Sequence, residues 1–294
     1  MHDLRKRLAK YFESEGRDLP VKVELPKGQY RLAFTDNLPP TSDPIQRFWH
    51  AHIASPEPSA VIYGEPIFFR DDKDVYLRSE TVESPREMEH LLGSRRKDLV
   101  PSFAFVSSGD MAAVVALMRL FNSYGAKFDV VSARDASPSV LRHNNLILLG
   151  NPRVNEFISR VRDERESYRV TARGISEGKE RRGGPSVYTD AAADDRRGTL
   201  IKYALLTRRP GFSDRQSLTL IEANYGRARY GVADFLSRPH VGQLLDLLAR
   251  EAGASVPHHF QAVFRVIVSK EHGESEIYAV EPVTVRIYAG EGKR

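Results

Sequence analysis

One stretch, Phe103 to Asn155, constrains this chain more than any other: FAFVSSGDMAAVVALMRLFNSYGAKFDVVSARDASPSVLRHNNLILLGNPRVN. An apolar run, Phe103 to Val106, ends in Ser107-Ser108-Gly109-Asp110. Met111, Val114, Val115, Met118 and Phe121 then recur at three- and four-residue steps, which is a helical stripe, and Gly125 closes it. Phe128 to Val131 reads as a second strand, a short helix follows, and Leu146 to Leu149 reads as a third strand running into Gly150-Asn151. Strand, helix, strand, helix, strand predicts parallel strands joined by crossover helices. The expected class is therefore α/β, a three-layer, doubly wound, mostly parallel sheet of the Rossmann-like kind. Such sheets hold ligands beyond the carboxyl ends of their strands, which directs attention to Ser107–Asp110 and Gly150–Asn155.

With 294 residues, the chain has room for two domains, or for one large α/β domain with an appendage. Hydrophobic residues make up 41%, enough for a packed core. The net charge of +5 permits an anionic partner without demanding one. The absence of cysteine excludes disulfides, thiolate nucleophiles and cysteine-ligated zinc, and is compatible with a reducing cytoplasm. The opening MHDLRKRLAK lacks the apolar core of a secretory signal. No apolar run approaches the roughly 20 residues that span a bilayer. A cytoplasmic protein is expected.

Three segments follow from the punctuation. Residues 1–36 hold an amphipathic helix with Leu4, Leu8, Tyr11 and Phe12 on one side and Arg5, Lys6, Arg7 and Lys10 on the other. VKVEL and YRLAF follow across a turn containing Pro26, Lys27 and Gly28, which reads as a β-hairpin. Residues 37–58 are a proline-rich linker and a short helix carrying the single tryptophan, Trp49. Residues 59–294 form the α/β domain, beginning with an apolar strand at Ala60 to Phe69. A helix is expected over 153–165, and 174–197 is polar, glycine-rich and charged, an exposed loop with at most a short strand near Val187. Leu200–Thr207 and Ser217–Ala223 are expected to pair as neighbours, and Phe260–Val268 with Ile277–Tyr288 as an antiparallel C-terminal hairpin.

The segment LRKRLAKYFESEGRDLPVKVELPKGQYRLAF resembles the end of an OmpR-type winged helix as found fused to uncharacterised bacterial regulatory proteins. Only the final helix and wing of that domain have counterparts here, so the resemblance implies a winged-helix remnant. It continues in Phe48-Trp49, in LILLGNPRVN (Leu146 to Asn155) and in ANYGRARYGVADFL (Ala223 to Leu236), where Val232 stands in place of the threonine of that pattern. The resemblance implies a regulatory context and a Rossmann-like second domain, but no particular reaction. It also implies DNA contact through Arg5, Lys6, Arg7, Lys10 and Lys27, the helix entering the groove and the wing touching phosphate. The plainer alternative is a structural helix and hairpin with a solvated basic face.

Three loops are candidates for a ligand. Ser107, Ser108, Gly109 and Asp110 open a helix whose first amides favour an anion, or they simply cap it. Asn151 and Asn155 flank Pro152, as amides gripping a polar group or as a turn. Asn224, Gly226, Arg227 and Gly231 follow another strand and offer close backbone approach and a guanidinium. The sequence contains no HExxH, GxSxG or Walker motif. His50 with His52 and His258 with His259 lack helical ligand spacing, so no metal site is expected. Asp190, Asp194 and Asp195 on the loop are weaker still as a cation site. No cofactor or oligomeric state can be named. The favoured reading is a regulatory, ligand-sensing protein. The alternative is a Rossmann-like enzyme acting on a nucleotide or sugar nucleotide, with Asp110 as the first base to test and 174–197 as a lid.

Overall fold

The computed structural model of this chain describes residues 2–16, 21–25, 33–36, 43–79, 82, 85–92, 99–178, 187–192, 198–213, 216–252, 256–269 and 276–288. In chain order the elements are α1 (His2–Glu13), β1 (Val21–Glu24), β2 (Ala33–Asp36), α2 (Pro44–Ile53), β3 (Ser59–Tyr63), β4 (Phe68–Arg70), β5 (Tyr76–Leu77), α3 (Pro85–Leu92), β6 (Val100–Ser102), α4 (Ser108–Ser123), β7 (Phe128–Ser132) and α5 (Pro138–His143). They continue with β8 (Asn145–Gly150), α6 (Glu156–Arg160), β9 (Tyr168–Thr171), β10 (Gly174–Glu177), β11 (Val187–Thr189), β12 (Ala191–Ala192), β13 (Thr199–Pro210), β14 (Ser217–Glu222), α7 (Gly226–Leu236), α8 (Val241–Ala252), β15 (Phe260–Ser269) and β16 (Ile277–Ile287).

The central sheet has the order β16-β15-β13-β14-β8-β3-β7, with β12 paired to β13 off this path. Strands β7, β3, β8 and β14 are mutually parallel. Strand β13 continues the sheet antiparallel to β14, and β15 and β16 add the terminal hairpin. The chain leaves β3 through α4 to reach β7 on one side, then returns through α5 to β8 on the other. The carboxyl ends of β3 and β8 are therefore the point where the winding reverses, the usual place for a ligand crevice.

Alternation along each strand sorts the core into two layers. Val61, Ile147, Leu149, Ile221, Ala204, Leu206 and Phe264 face a cluster built with α2, α4, α7 and α8. Ala60, Ile62, Leu146, Leu148, Leu218 and Leu220 face Phe157, Ile158 and Val161 on the other side. Beside that second layer, strands β9, β10 and β11 form a separate antiparallel sheet. It docks through Tyr168 and Ile175 on Leu205 and Val263. Helix α2 is locked into the first layer by Trp49, fully buried, whose Nε1 donates to the Leu236 carbonyl at 2.8 Å. His52 is buried beside it and hydrogen-bonds Ser59 and Thr219. Burial, with the Arg208 charge adding to it, holds this imidazole well below its ordinary pKa, so it is neutral.

Three expectations need correction. Phe103–Val106 is not a strand of the central sheet: it follows β6, which pairs with β4 in a small sheet of order β5-β4-β6. Its two phenylalanines serve that small sheet. Phe103 packs beside the buried Ile67 and Phe69, and Phe105 contacts the Phe68 and Tyr76 rings. The central-sheet strand that precedes α4 is β3, with β4, β5, α3 and β6 between them, and Ser107 still caps α4 as a Ser before a helix should. Within 153–165 only Glu156–Arg160 is α-helical. Within 174–197 the described residues are not simply loop, because β10 and β11 carry Ile175 and Tyr188 onto the central sheet and β12 pairs with β13. At the N-terminus α1 buries Phe12, its turn closes through the Gly16 amide on Tyr11, and β1 and β2 pair antiparallel.

Candidate functional site

The winding-reversal point is occupied by the protein's own side chain. Asn155 is fully buried, and its amide nitrogen donates to the carbonyls of Ile62, near the end of β3, and Leu149, near the end of β8, both at 3.0 Å. Its oxygen caps α6 on the Phe157 amide at 3.2 Å. The Gly64 amide donates to Leu149 and the Glu65 amide to Val154, and a side chain at Gly64 would collide with Val154. Gly150, with φ of 140°, makes the turn that brings Asn155 back. Asn151 spends its oxygen on the amides of Arg153 and Val154, at 2.9 and 3.2 Å. Its nitrogen reaches Asn224 at 3.4 Å, and Asn224 donates in turn to the Thr171 carbonyl at 2.5 Å.

The α4 loop meets α7 in a second internal junction. Gly109 and Gly226 approach so closely that a Cβ on Gly109 would strike the Gly226 backbone, and one on Gly226 would strike the Ser107 hydroxyl. Only glycines allow two helix starts to touch in this way. Asp110, in the first turn of α4, takes a two-pronged ion pair from Arg229, with Nη2 to Oδ2 at 2.7 Å and Nε to Oδ1 as the second bond. Arg229 also holds the Ala223 carbonyl. Both side chains are buried, so Asp110 is a structural partner here and is not presented to a ligand as a base. A carboxylate between two helix N-termini also offsets their positive ends. The sequence-selected residues thus come together pairwise: Ser107, Gly109 and Asp110 with Gly226, and Asn151 with Asn224. Ser108 is exposed at the start of α4.

Arg227 and Gly231 lie elsewhere, along a groove of about 710 Å³ between α7 and the start of β16. Gly231 forms its floor, close against Val266, Ile277 and Val280. Tyr230, Phe235 and Tyr278 supply aromatic surface, and Arg238 and His240 stand at the far end. Arg238 is paired to Asp234 at 2.7 Å, whereas Arg227 makes no ion pair among the described residues. The volume falls within the range of small-molecule sites.

A third polar cluster escaped the sequence reading. Glu222 ends β14 on the same parity as Leu218 and Leu220, and its carboxyl is buried. Arg162 Nη2 stands 3.5 Å from its Oε2, near enough to attract but not aligned for a hydrogen bond. Burial, reinforced by Glu166 and opposed by Arg162 and Arg169, raises this carboxyl to about 7. Glu166 is buried too, beside His259 at 3.4 Å, Arg169 at 3.5 Å and Arg209 at 3.9 Å. Asp163 is held well below the usual carboxylate range by Arg165. The available signal was a glutamate at an inward position of the otherwise buried strand SLTLIE.

Among the residues selected for DNA, Arg5 is half-buried and Lys6, Arg7 and Lys10 are exposed on α1, while Lys27 lies outside the described residues. Among the described residues no group of three or more His, Asp or Glu is arranged to hold a metal, and no helix is long and apolar enough to cross a membrane. No protein-family model, curated protein or solved structure matches this chain.

If Asn155 is a structural plug, both of its replacements should cost stability, in a set order. Asn155→Ala removes a buried donor from each of two strand carbonyls and leaves the Phe157 amide without its cap, and we expect a loss of roughly 2–4 kcal/mol. Asn155→Asp keeps the cap but sets a carboxylate against two carbonyl oxygens, and should lose more. Urea unfolding followed by Trp49 fluorescence reads this. Equal stability of either variant and parent would mean that the amide is held for something other than the fold.

Proposed function

We propose that this chain is a ligand-sensing regulatory protein. In this reading the α/β domain takes a small anionic molecule with a planar ring, of the nucleoside monophosphate kind, in the groove between α7 and β16. The N-terminal helix and hairpin act as a DNA-contacting element. The observation that carries the first half is the groove itself. Arg227 stands at one end, without an ion pair among the described residues, and Tyr230 and Tyr278 line it. A guanidinium suits a phosphate or carboxylate, and an aromatic face suits a base. The second half is supported by exposed Lys6, Arg7 and Lys10 on a short helix followed by an antiparallel hairpin, and by the likeness of that segment to a winged-helix end.

Thermal melting against a panel of nucleoside monophosphates tests the groove. At least one should raise the melting temperature of the parent, and Arg227→Ala should abolish the rise with little effect on its own melting. Stabilisation by none of them, or an equal rise in Arg227→Ala, would remove the groove from the account. Anisotropy of a labelled DNA duplex tests the other half. Binding should weaken steeply as salt increases and should be lost when Arg5, Lys6 and Arg7 are all replaced by alanine. A chain that fails to bind duplex even at low salt has no DNA role through this helix.

A further inference from the structure

The cluster around Glu222 is a joint between two parts of the fold. Strand β14 contributes Glu222, and its register partner in β8 is Gly150. From the segment 161–166 come Arg162, at 3.5 Å, and Glu166, and from β9 comes Arg169. Behind them stand Asp163, Arg209 from β13, His259 beside the start of β15, and Tyr288 with its ring tilted against His259. Two residues beyond Glu222, Asn224 ties the end of β14 to the Thr171 carbonyl at the end of β9. The segment that covers Glu222 therefore leads directly into the β9–β11 sheet.

We propose that Glu222 is a proton-operated latch: while its carboxyl is neutral the 162–171 segment and the β9–β11 sheet sit closed on the central sheet, and its ionisation loosens them from the end of β14. An ionised Glu222 would be the second buried carboxylate in this layer, beside Glu166, and its Oε2 has no aligned donor. Arg162 is the nearest cation, at 3.5 Å, and its Nη2 makes no hydrogen bond to that oxygen. Water solvates the charge most readily if the covering segment lifts. The fold holds this carboxyl at about 7 against an ordinary 4.5, so it favours the protonated form. The stabilisation is complete below 4.5, declines as pH rises, and is spent above about 7.

Hydrogen exchange of the whole chain, read by mass spectrometry at pH 6 and pH 8 and corrected for intrinsic chemical rates, tests the latch. Peptides covering 162–178 should be about tenfold less protected at pH 8 than at pH 6, the ratio that linkage gives for those two midpoints. Glu222→Gln, which keeps His259 and every arginine, should lose this dependence. Arg162→Met removes the nearest cation, so it should move the loosening to higher pH, and it carries the test if Glu222→Gln does not fold. Equal protection of the parent at both pH values would overturn the proposal. So would a Glu222→Gln variant that keeps the parent's response, which would assign it to His259 or another group, or an unshifted midpoint in Arg162→Met.

Discussion

The amide of Asn155, bonded to the carbonyls of Ile62 and Leu149, fixes what this fold has available for function. In an open α/β sheet the gap beyond the reversal point is where outside molecules find unpaired backbone groups. Here one side chain donates to both strand ends and caps the next helix with its remaining atom. Gly64 pressed on Val154 and the turn at Gly150 complete the closure. The space that the topology would give to a ligand is spent on joining the two halves of the winding. A groove lined by Arg227 lies instead on the flank of α7, away from the strand ends.

Two buried carboxylates, each beside an arginine, are held in unequal ways. Asp110 and Arg229 meet through two hydrogen bonds, and Arg229 has a third on Ala223. A buried pair of this geometry recovers much of its desolvation cost, and removing one partner typically costs about 3–5 kcal/mol. It holds α4 to α7 and so fixes one wall of the groove. Glu222 and Arg162 on the opposite layer are 3.5 Å apart and unaligned, so desolvation outweighs attraction. The same pair of chemical groups, at 3.5 Å and unaligned instead of 2.7 Å and hydrogen-bonded, leaves the Glu222 carboxyl raised to about 7.

Periodicity made the frame legible. The helix over Met111–Phe121, the strands at Phe128, Leu146 and Ser217, the α8 helix and the terminal hairpin stand where their patterns place them, although α4 buries Ala113, Val114, Leu117, Leu120 and Phe121 and leaves Val115 and Met118 of the expected stripe exposed. Phe103–Val106 misled because an apolar run does not by itself fix strand pairing: Phe103 and Phe105 pack beside a small sheet, and Val106 is exposed. The site was legible only in its loops. That Asn155 plugs a gap depends on Ile62, 93 positions away, and that Asp110 is consumed by Arg229 depends on a partner 119 positions away. Such pairings become visible once strand order is known. Glu222 could have been singled out from parity alone, since Leu218 and Leu220 point the same way, but its neighbours Arg162 and Glu166 come from a segment whose path has no periodic signature.

Amide chemical-shift mapping with a nucleoside monophosphate tests most directly the claim that the carboxyl edge is sealed and recognition lies beside α7. The account predicts perturbations over 227–240 and 276–280, with 64–65, 107–110 and 151–155 unchanged. Perturbations centred on Asn151 and Asn155, or none anywhere in the chain, would contradict it.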